Sequence, residues 1–109
     1  MKPVIVTAAT SGELALLIAS LEGRERFHAC SREAFRGEIQ GWPVIAAVTG
    51  IGKVNTAAVV SSLLERFKPE LLINTGCAGA YLGSGLAVGD LAMASSEVFG
   101  DEGVLVADG

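Results

Sequence analysis

Apolar residues along this chain fall into short unbroken runs separated by helical stripes. Val4-Ile5-Val6 within Pro3 to Ala8, and Leu71-Leu72-Ile73 within Leu71 to Thr75, are continuous and largely β-branched or leucine. Such runs mark strands covered on both faces. Leu14, Leu17, Ile18 and Leu21 recur at i, i+3, i+4 and i+7, which predicts a first helix ended by Gly23. Residues 24–31 are mixed and read as loop. Ala34 to Gln40 and Pro43 to Thr49 read as two strands of a hairpin joined at Gly41-Trp42. Lys53 to Phe67 predicts a second helix with Ala57, Val60, Leu64 and Phe67 on one stripe, and Pro69 prevents its continuation. Gly83, Gly85 and Gly89 punctuate a loop, and Asp90 to Val98 reads as a last strand.

Strands alternating with helices predict an α/β domain whose mainly parallel sheet is covered on both faces, and the hairpin makes that sheet mixed. The sequence ends at Ala107-Asp108-Gly109, just after the expected last strand and before any helix that would cover it. Residues 1–109 are therefore expected to be the N-terminal part of a single domain rather than a finished one.

Composition narrows the function classes. With 109 residues, half of them apolar and 18% charged, the chain can bury one small core. The net charge is −4 and the basic residues form no cluster, which argues against nucleic acid as a partner. The apolar runs are too short and too interrupted for a membrane span. The N-terminus lacks the layout of a signal peptide, with Glu13 following the first apolar run closely. Cys30 and Cys77 have no metal-ligand spacing; two thiols fit a reducing cytoplasm, with a disulfide as the alternative.

Candidate chemistry gathers at the predicted strand ends. Asn74-Thr75-Gly76-Cys77-Ala78-Gly79-Ala80 follows one strand, and Thr49-Gly50-Ile51-Gly52-Lys53 follows another. Small residues there allow close approach to the backbone, and in open α/β sheets that edge is where ligands bind. The Gly50 stretch fails as a P-loop, having Ala47 and Val54 where Gly and Ser or Thr are needed, and fails as a dinucleotide fingerprint at Asn55. It reads either as a tight strand-to-helix turn or as a turn lining a nucleoside pocket. Thr10-Ser11-Gly12-Glu13 is a capping-box pattern. Glu13 is equally a carboxylate at a strand's C-terminal edge, able to orient or deprotonate a water, and the helix N-terminus favours its ionised form. Cys77 has no base beside it in sequence and suits a packed residue lining a pocket. His28 reads as a surface or packed residue, and Asp101-Glu102-Gly103 as a solvated turn.

Taken in order, these segments resemble the nucleoside phosphorylase and nucleosidase superfamily. The matching residues are the first strand with Glu13, Thr49 to Val54, Lys68-Pro69-Glu70, Ile73 to Gly79, and Leu86 to Asp90. Within the superfamily the chain is similar to the methylthioadenosine and adenosylhomocysteine nucleosidases. Glu97 to Val104 brings it nearest the futalosine hydrolase group. The resemblance implies a three-layer α/β/α fold, usually dimeric, acting on a small purine nucleoside without a cofactor or metal. It implies hydrolysis of an N-ribosidic bond, with futalosine cleaved to hypoxanthine and dehypoxanthinyl futalosine in menaquinone biosynthesis as the leading expectation. A methylthioadenosine or adenosylhomocysteine nucleosidase, or a non-catalytic nucleoside-binding module, are the alternatives.

By the same resemblance Glu13 handles the attacking water, Ile51 lines the 5′ side of the ribose, and Cys77, Ala78 and Gly79 form the loop beneath ribose and base. Phosphorylases of the superfamily carry an arginine at the position of Asn74, and asparagine cannot reproduce its charged bidentate grip on phosphate. Water is thus the expected nucleophile. The family's purine-protonating acid and ribose-binding glutamate are expected beyond residue 109, so the chain alone is expected to be inactive.

Overall fold

The computed structural model describes residues 1–108; Gly109, the last residue of the expected domain, lies outside the described residues. Two compact units are present, Met1–Ala78 and Gly79–Gly109.

The first unit contains every helix and strand among the described residues: β1 (Val4–Ala8), α1 (Ser11–Ala19), β2 (Glu22–Ala29), β3 (Arg32–Ile39), β4 (Trp42–Val48), α2 (Lys53–Phe67) and β5 (Leu71–Asn74). The sheet order is β2-β3-β4-β1-β5. β1 lies at the centre of a parallel trio, pairing Ile5 with Ile45 of β4 and with Leu72 of β5. The rest is an antiparallel meander, β2 on β3 and β3 on β4. The sheet is mixed as expected, its parallel strands forming one half.

Strand alternation sorts the core into two layers. Ile5, Ala34, Ile45, Ala47 and Ala29 point to the face covered by Val59 and Leu63 of α2, with Phe27, Phe67 and Leu72 packed around them. Ala8, Val44 and Ala46 point to the other face, under Leu14 of α1, joined by Leu21 and the partly buried Leu17 and Ile18. One helix on each face gives the three-layer α/β/α arrangement. Continuous apolar runs in β1 and β4 are required because neither face of those strands meets water.

Four details differ from the sequence expectation. Residues 24–31 belong largely to β2, an edge strand rather than a loop. Its alternating charges obscured it, yet charge suits a strand with one unpaired edge. Arg26 reaches Glu33 at 3.2 Å, and Glu25 reaches Arg36 at 2.9 Å, so β2 and β3 share both pairs. Helix α1 stops at Ala19, and Gly23 instead sits at φ 62 beside an irregularity in the β2–β3 ladder. The hairpin turn is Gln40-Gly41, both left-handed, and Trp42 opens β4. Finally, the buried stripe of α2 is Val59 and Leu63, one residue before the expected Val60 and Leu64.

Among the described residues the second unit contains no strand, so the expected strand Asp90 to Val98 does not form. A strand is held by ladder partners, and among the described residues this segment has none. Its local order consists of turns: Ser84 N–H to the Tyr81 carbonyl at 3.1 Å, and Ala87 N–H to Asp90 Oδ2 at 2.8 Å. Among the described residues no helix is long and apolar enough to cross a membrane.

The offset stripe is testable. Leu63 is fully buried and Leu64 is 43% exposed. Leu63→Ala should cost about 2–5 kcal/mol of stability, and Leu64→Ala well under half as much. Urea denaturation of the two variants checks this; a larger loss for Leu64→Ala would contradict the packing of α2.

Candidate active site

The parallel strands β4, β1 and β5 end side by side, and their C-terminal ends carry the small-residue segments. Thr49 N–H donates to the Ala8 carbonyl at 2.9 Å and Gly50 N–H to the Ala9 carbonyl at 3.0 Å, which ties the β4 exit to the β1 exit. Thr75 N–H donates to the Thr7 carbonyl at 2.8 Å, tying the β5 exit to β1 on its other side. The Thr7 hydroxyl, fully buried, donates to Asn74 Oδ1 at 3.0 Å.

Glu13 occupies the middle of this edge. It lies in the first turn of α1, where Thr10 and Glu13 form a capping box. One carboxylate oxygen, Oε1, accepts from the Thr10 amide at 3.2 Å and the Thr10 hydroxyl at 2.8 Å. The other, Oε2, accepts from the Cys77 amide at 2.8 Å. A carboxylate offers about four acceptor positions, so three donors leave room for another, such as a water. The Thr10 hydroxyl first and the Cys77 amide next hold the carboxyl below its ordinary value against the opposing effect of desolvation, with the Thr10 amide adding least. It is therefore a base over the whole neutral range.

Gly76 makes this geometry accessible. A Cβ at that position would come within 2.7 Å of Glu13 Oε2. The small residue after β5 thus admits the chain's own carboxylate.

The structure brings Glu13 and Cys77 together, but through the Cys77 main chain. Its thiol is exposed and free. Ala78, also exposed, ends the first unit, and Gly79 begins the second. Ile51 projects from the turn between β4 and α2, 77% exposed, and its carbonyl accepts from Asn55 Nδ2 at 2.8 Å. The Gly50–Gly52 turn is a strand-to-helix connection with both glycines at positive φ, 80 and 94. Among the described residues no group of three or more His, Cys, Asp or Glu could hold a metal ion.

One residue escaped the sequence reading. Arg32 opens β3, and its guanidinium lies directly against the Gly50 backbone. A Cβ on Gly50 would sit 2.6 and 2.7 Å from the two terminal nitrogens. The antiparallel register Ala34 with Ala47, carried two residues on, places position 32 opposite Thr49 at the same sheet edge as Glu13. The signal was available in that register, but the sequence reading started the strand at Ala34, two residues too late.

An α/β/α sheet with a carboxylate at the shared exit of its parallel strands defines the class, and comparison with known proteins agrees. Residues 3–106 match the Phosphorylase superfamily, and the chain belongs to that family. It is 40% identical over 101 residues to the 5′-methylthioadenosine/S-adenosylhomocysteine nucleosidase of Geobacillus thermodenitrificans, covering 93% of this chain and 42% of that protein. It is 38% identical over 96 residues to the nucleosidase of the same name from Listeria innocua, covering 88% of this chain and 41% of the relative. Among solved structures, the Neisseria meningitidis nucleosidase in complex with methylthio-immucillin-A superposes with a TM-score of 0.75 at 38% identity, covering 83% of this chain and 38% of that one. The chain spans about two fifths of the length of the curated relatives it matches.

Two tests address Glu13. Its folded pKa lies below its unfolded one, so its contribution to stability is present above the unfolded value and is lost as pH falls through the folded one. Glu13→Gln should remove that acid-side loss, read as a shallower fall in melting temperature below the ordinary glutamate range. Gly76 is not in the left-handed region, so Gly76→Ala tests space alone. It should push the carboxylate off the Cys77 amide and raise its pKa toward the ordinary value. Carboxyl carbon NMR titration reads this directly, and an unchanged pKa would show that Gly76 does not govern the contact.

Proposed function

We propose that this chain carries the water-activating carboxylate of a purine nucleoside hydrolase acting on 5′-thio-substituted adenosines, and that Glu13 is that carboxylate. The observation that carries the reading is Glu13 itself: ionised, gripped by three donors and still open to another, at the exit of three parallel strands. Cleavage of an N-ribosidic bond passes through an oxocarbenium-like transition state, as in glycoside hydrolysis, and one carboxylate takes a proton from water while an acid protonates the leaving group. Glu13 supplies the first function. No residue of this chain is assigned the second.

Water rather than phosphate is the proposed nucleophile. Position 74 holds a neutral amide that is already engaged with Thr7, which leaves no cationic fork there for an oxyanion. The Cys77 amide, Ala78 and Gly79 are proposed to floor the ribose and base, and Ile51 to flank the ribose 5′ side. Assembly as a homodimer belongs to the same proposal.

The names of the relatives favour methylthioadenosine and adenosylhomocysteine over futalosine as substrate. Futalosine, supported by the residues from Glu97 to Val104, enters as the competing substrate.

Base release from methylthioadenosine, adenosylhomocysteine and futalosine, with and without phosphate, tests the reading on the 109-residue chain and on the longest product of its gene. Phosphate-independent adenine release is expected from the longer form, with no turnover by the 109-residue chain. Glu13→Gln should lower the rate by about 10²–10⁴-fold. Phosphate-dependent release would make the reaction phosphorolysis. Hypoxanthine release from futalosine alone would move the substrate, and binding without release by either form would make the chain a nucleoside-binding module.

A further inference from the structure

We propose that Asn55 is a positioning residue: with the hydroxyls of Thr49 and Thr56 it ties down every carbonyl of the Gly50-Ile51-Gly52 turn, and so presents Ile51 as a fixed wall to the 5′ side of the nucleoside. This rests on the nucleoside reading above and adds to it the means by which that wall is built.

The turn needs such a device. Ile51 stands between two glycines at φ 80 and 94, and its side chain is 77% exposed. Glycine restricts the backbone least, and an exposed side chain gains little packing to hold it. At the base of the turn the Gly50 amide donates to the Ala9 carbonyl at the β1 exit, 3.0 Å away, and the Arg32 guanidinium fills the space beside Gly50. Above that base the three carbonyls are held one by one. The Gly50 carbonyl accepts from the hydroxyl of the buried Thr49 at 2.8 Å. The Ile51 carbonyl accepts from Asn55 Nδ2 at 2.8 Å. The Gly52 carbonyl accepts from the Thr56 hydroxyl at 2.8 Å and from the Thr56 amide at 3.1 Å.

Of the three side chains, Asn55 has the least other reason to be there. The Thr49 hydroxyl also lies 3.3 Å from the Ala8 carbonyl, and the Thr56 hydroxyl lies 3.4 Å from that of Thr49. Asn55 is exposed in the first turn of α2, where alanine would favour the helix more. Its carboxamide makes no other hydrogen bond among the described residues. The Ile51 carbonyl is an acceptor, so Nδ2 must face it; Oδ1 there would repel it. Glycine at position 55, which the dinucleotide pattern requires, would leave the Ile51 carbonyl unheld. A turn fixed in this way is ordered before a nucleoside arrives, so binding does not bear that cost.

The test is steady-state base release from methylthioadenosine by the longest product of the gene, with futalosine in its place if only futalosine is cleaved. The proteins are wild type, Asn55→Asp, Asn55→Ala, Ile51→Ala and the double variant Ile51→Ala with Asn55→Asp, with circular dichroism confirming the fold of each. Aspartate matches asparagine in shape and suits a helix N-terminus, but it turns an oxygen to the Ile51 carbonyl. A merely structural position would accept it. Asn55→Asp should instead raise KM about three- to tenfold and leave kcat unchanged. Asn55→Ala removes the bond without repulsion and favours the helix, and should raise KM by less. Ile51→Ala should raise KM, and in that background Asn55→Asp should add nothing, because it acts through Ile51. An unchanged KM in Asn55→Asp, or the same rise with and without the Ile51 side chain, would overturn the inference and leave the nucleoside reading intact. An unchanged KM in Ile51→Ala would take Ile51 out of the site and overturn it too. If wild type releases base from neither substrate, the nucleoside hydrolase reading fails and the inference with it.

Discussion

The bond from the Cys77 amide to Glu13 Oε2 joins two segments that are 64 residues apart in sequence. It closes the edge of the sheet by fixing the β1–α1 turn to the loop that leaves β5. The strand order brings those ends together. β1 must be central, with β5 on one side and β4 on the other, for a residue in the first turn of α1 to meet the loop after β5. The helix contributes twice, through the Thr10 cap that turns the carboxylate and through the dipole that favours its charge.

The capping and catalytic readings of Glu13 are compatible because they use different oxygens. Oε1 satisfies the helix terminus and Oε2 faces the β5 loop. A carboxylate immobilised in this way pays its ordering cost during folding rather than during reaction. Its depressed pKa keeps it charged, and the exposed side makes it reachable by water. A weaker base results, since stabilising the anion lowers its proton affinity.

Much of the sheet was legible because β1 and β4 are largely covered on both faces and leave continuous apolar runs, and β5 keeps such a run although Leu71 and Ile73 are exposed at the sheet edge. Glu13 was legible because Thr10 and Glu13 announce a helix start three residues apart. β2 was not legible: Glu22, Arg24, Glu25 and Arg26 are charged because an edge strand meets solvent, and solvent exposure erases the apolar signal. The α2 stripe slipped by one residue because Leu64 and Ala57 are apolar without being buried, and periodicity counts side-chain type rather than contact. Asp90 to Val98 has strand composition, but composition does not supply a partner, and ladder bonds decide whether a strand exists. Cys77 was singled out for its side chain, yet its amide makes the contact, a role any residue other than proline could fill there.

The glycines at the strand exits show what small residues at a ligand edge accomplish. Read from sequence, Gly50 and Gly76 leave the backbone open to a ligand. In the fold, the space beside Gly76 holds the Glu13 carboxylate and the space beside Gly50 holds the Arg32 guanidinium. Each glycine therefore lets a charged group from a different element lie flush with the sheet edge. The carboxylate lies beside the exit of β5 and the guanidinium beside the exit of β4. The result is an edge that carries both signs of charge. Replacing either glycine would displace a charged side chain, so these small residues set where the charges of the edge lie.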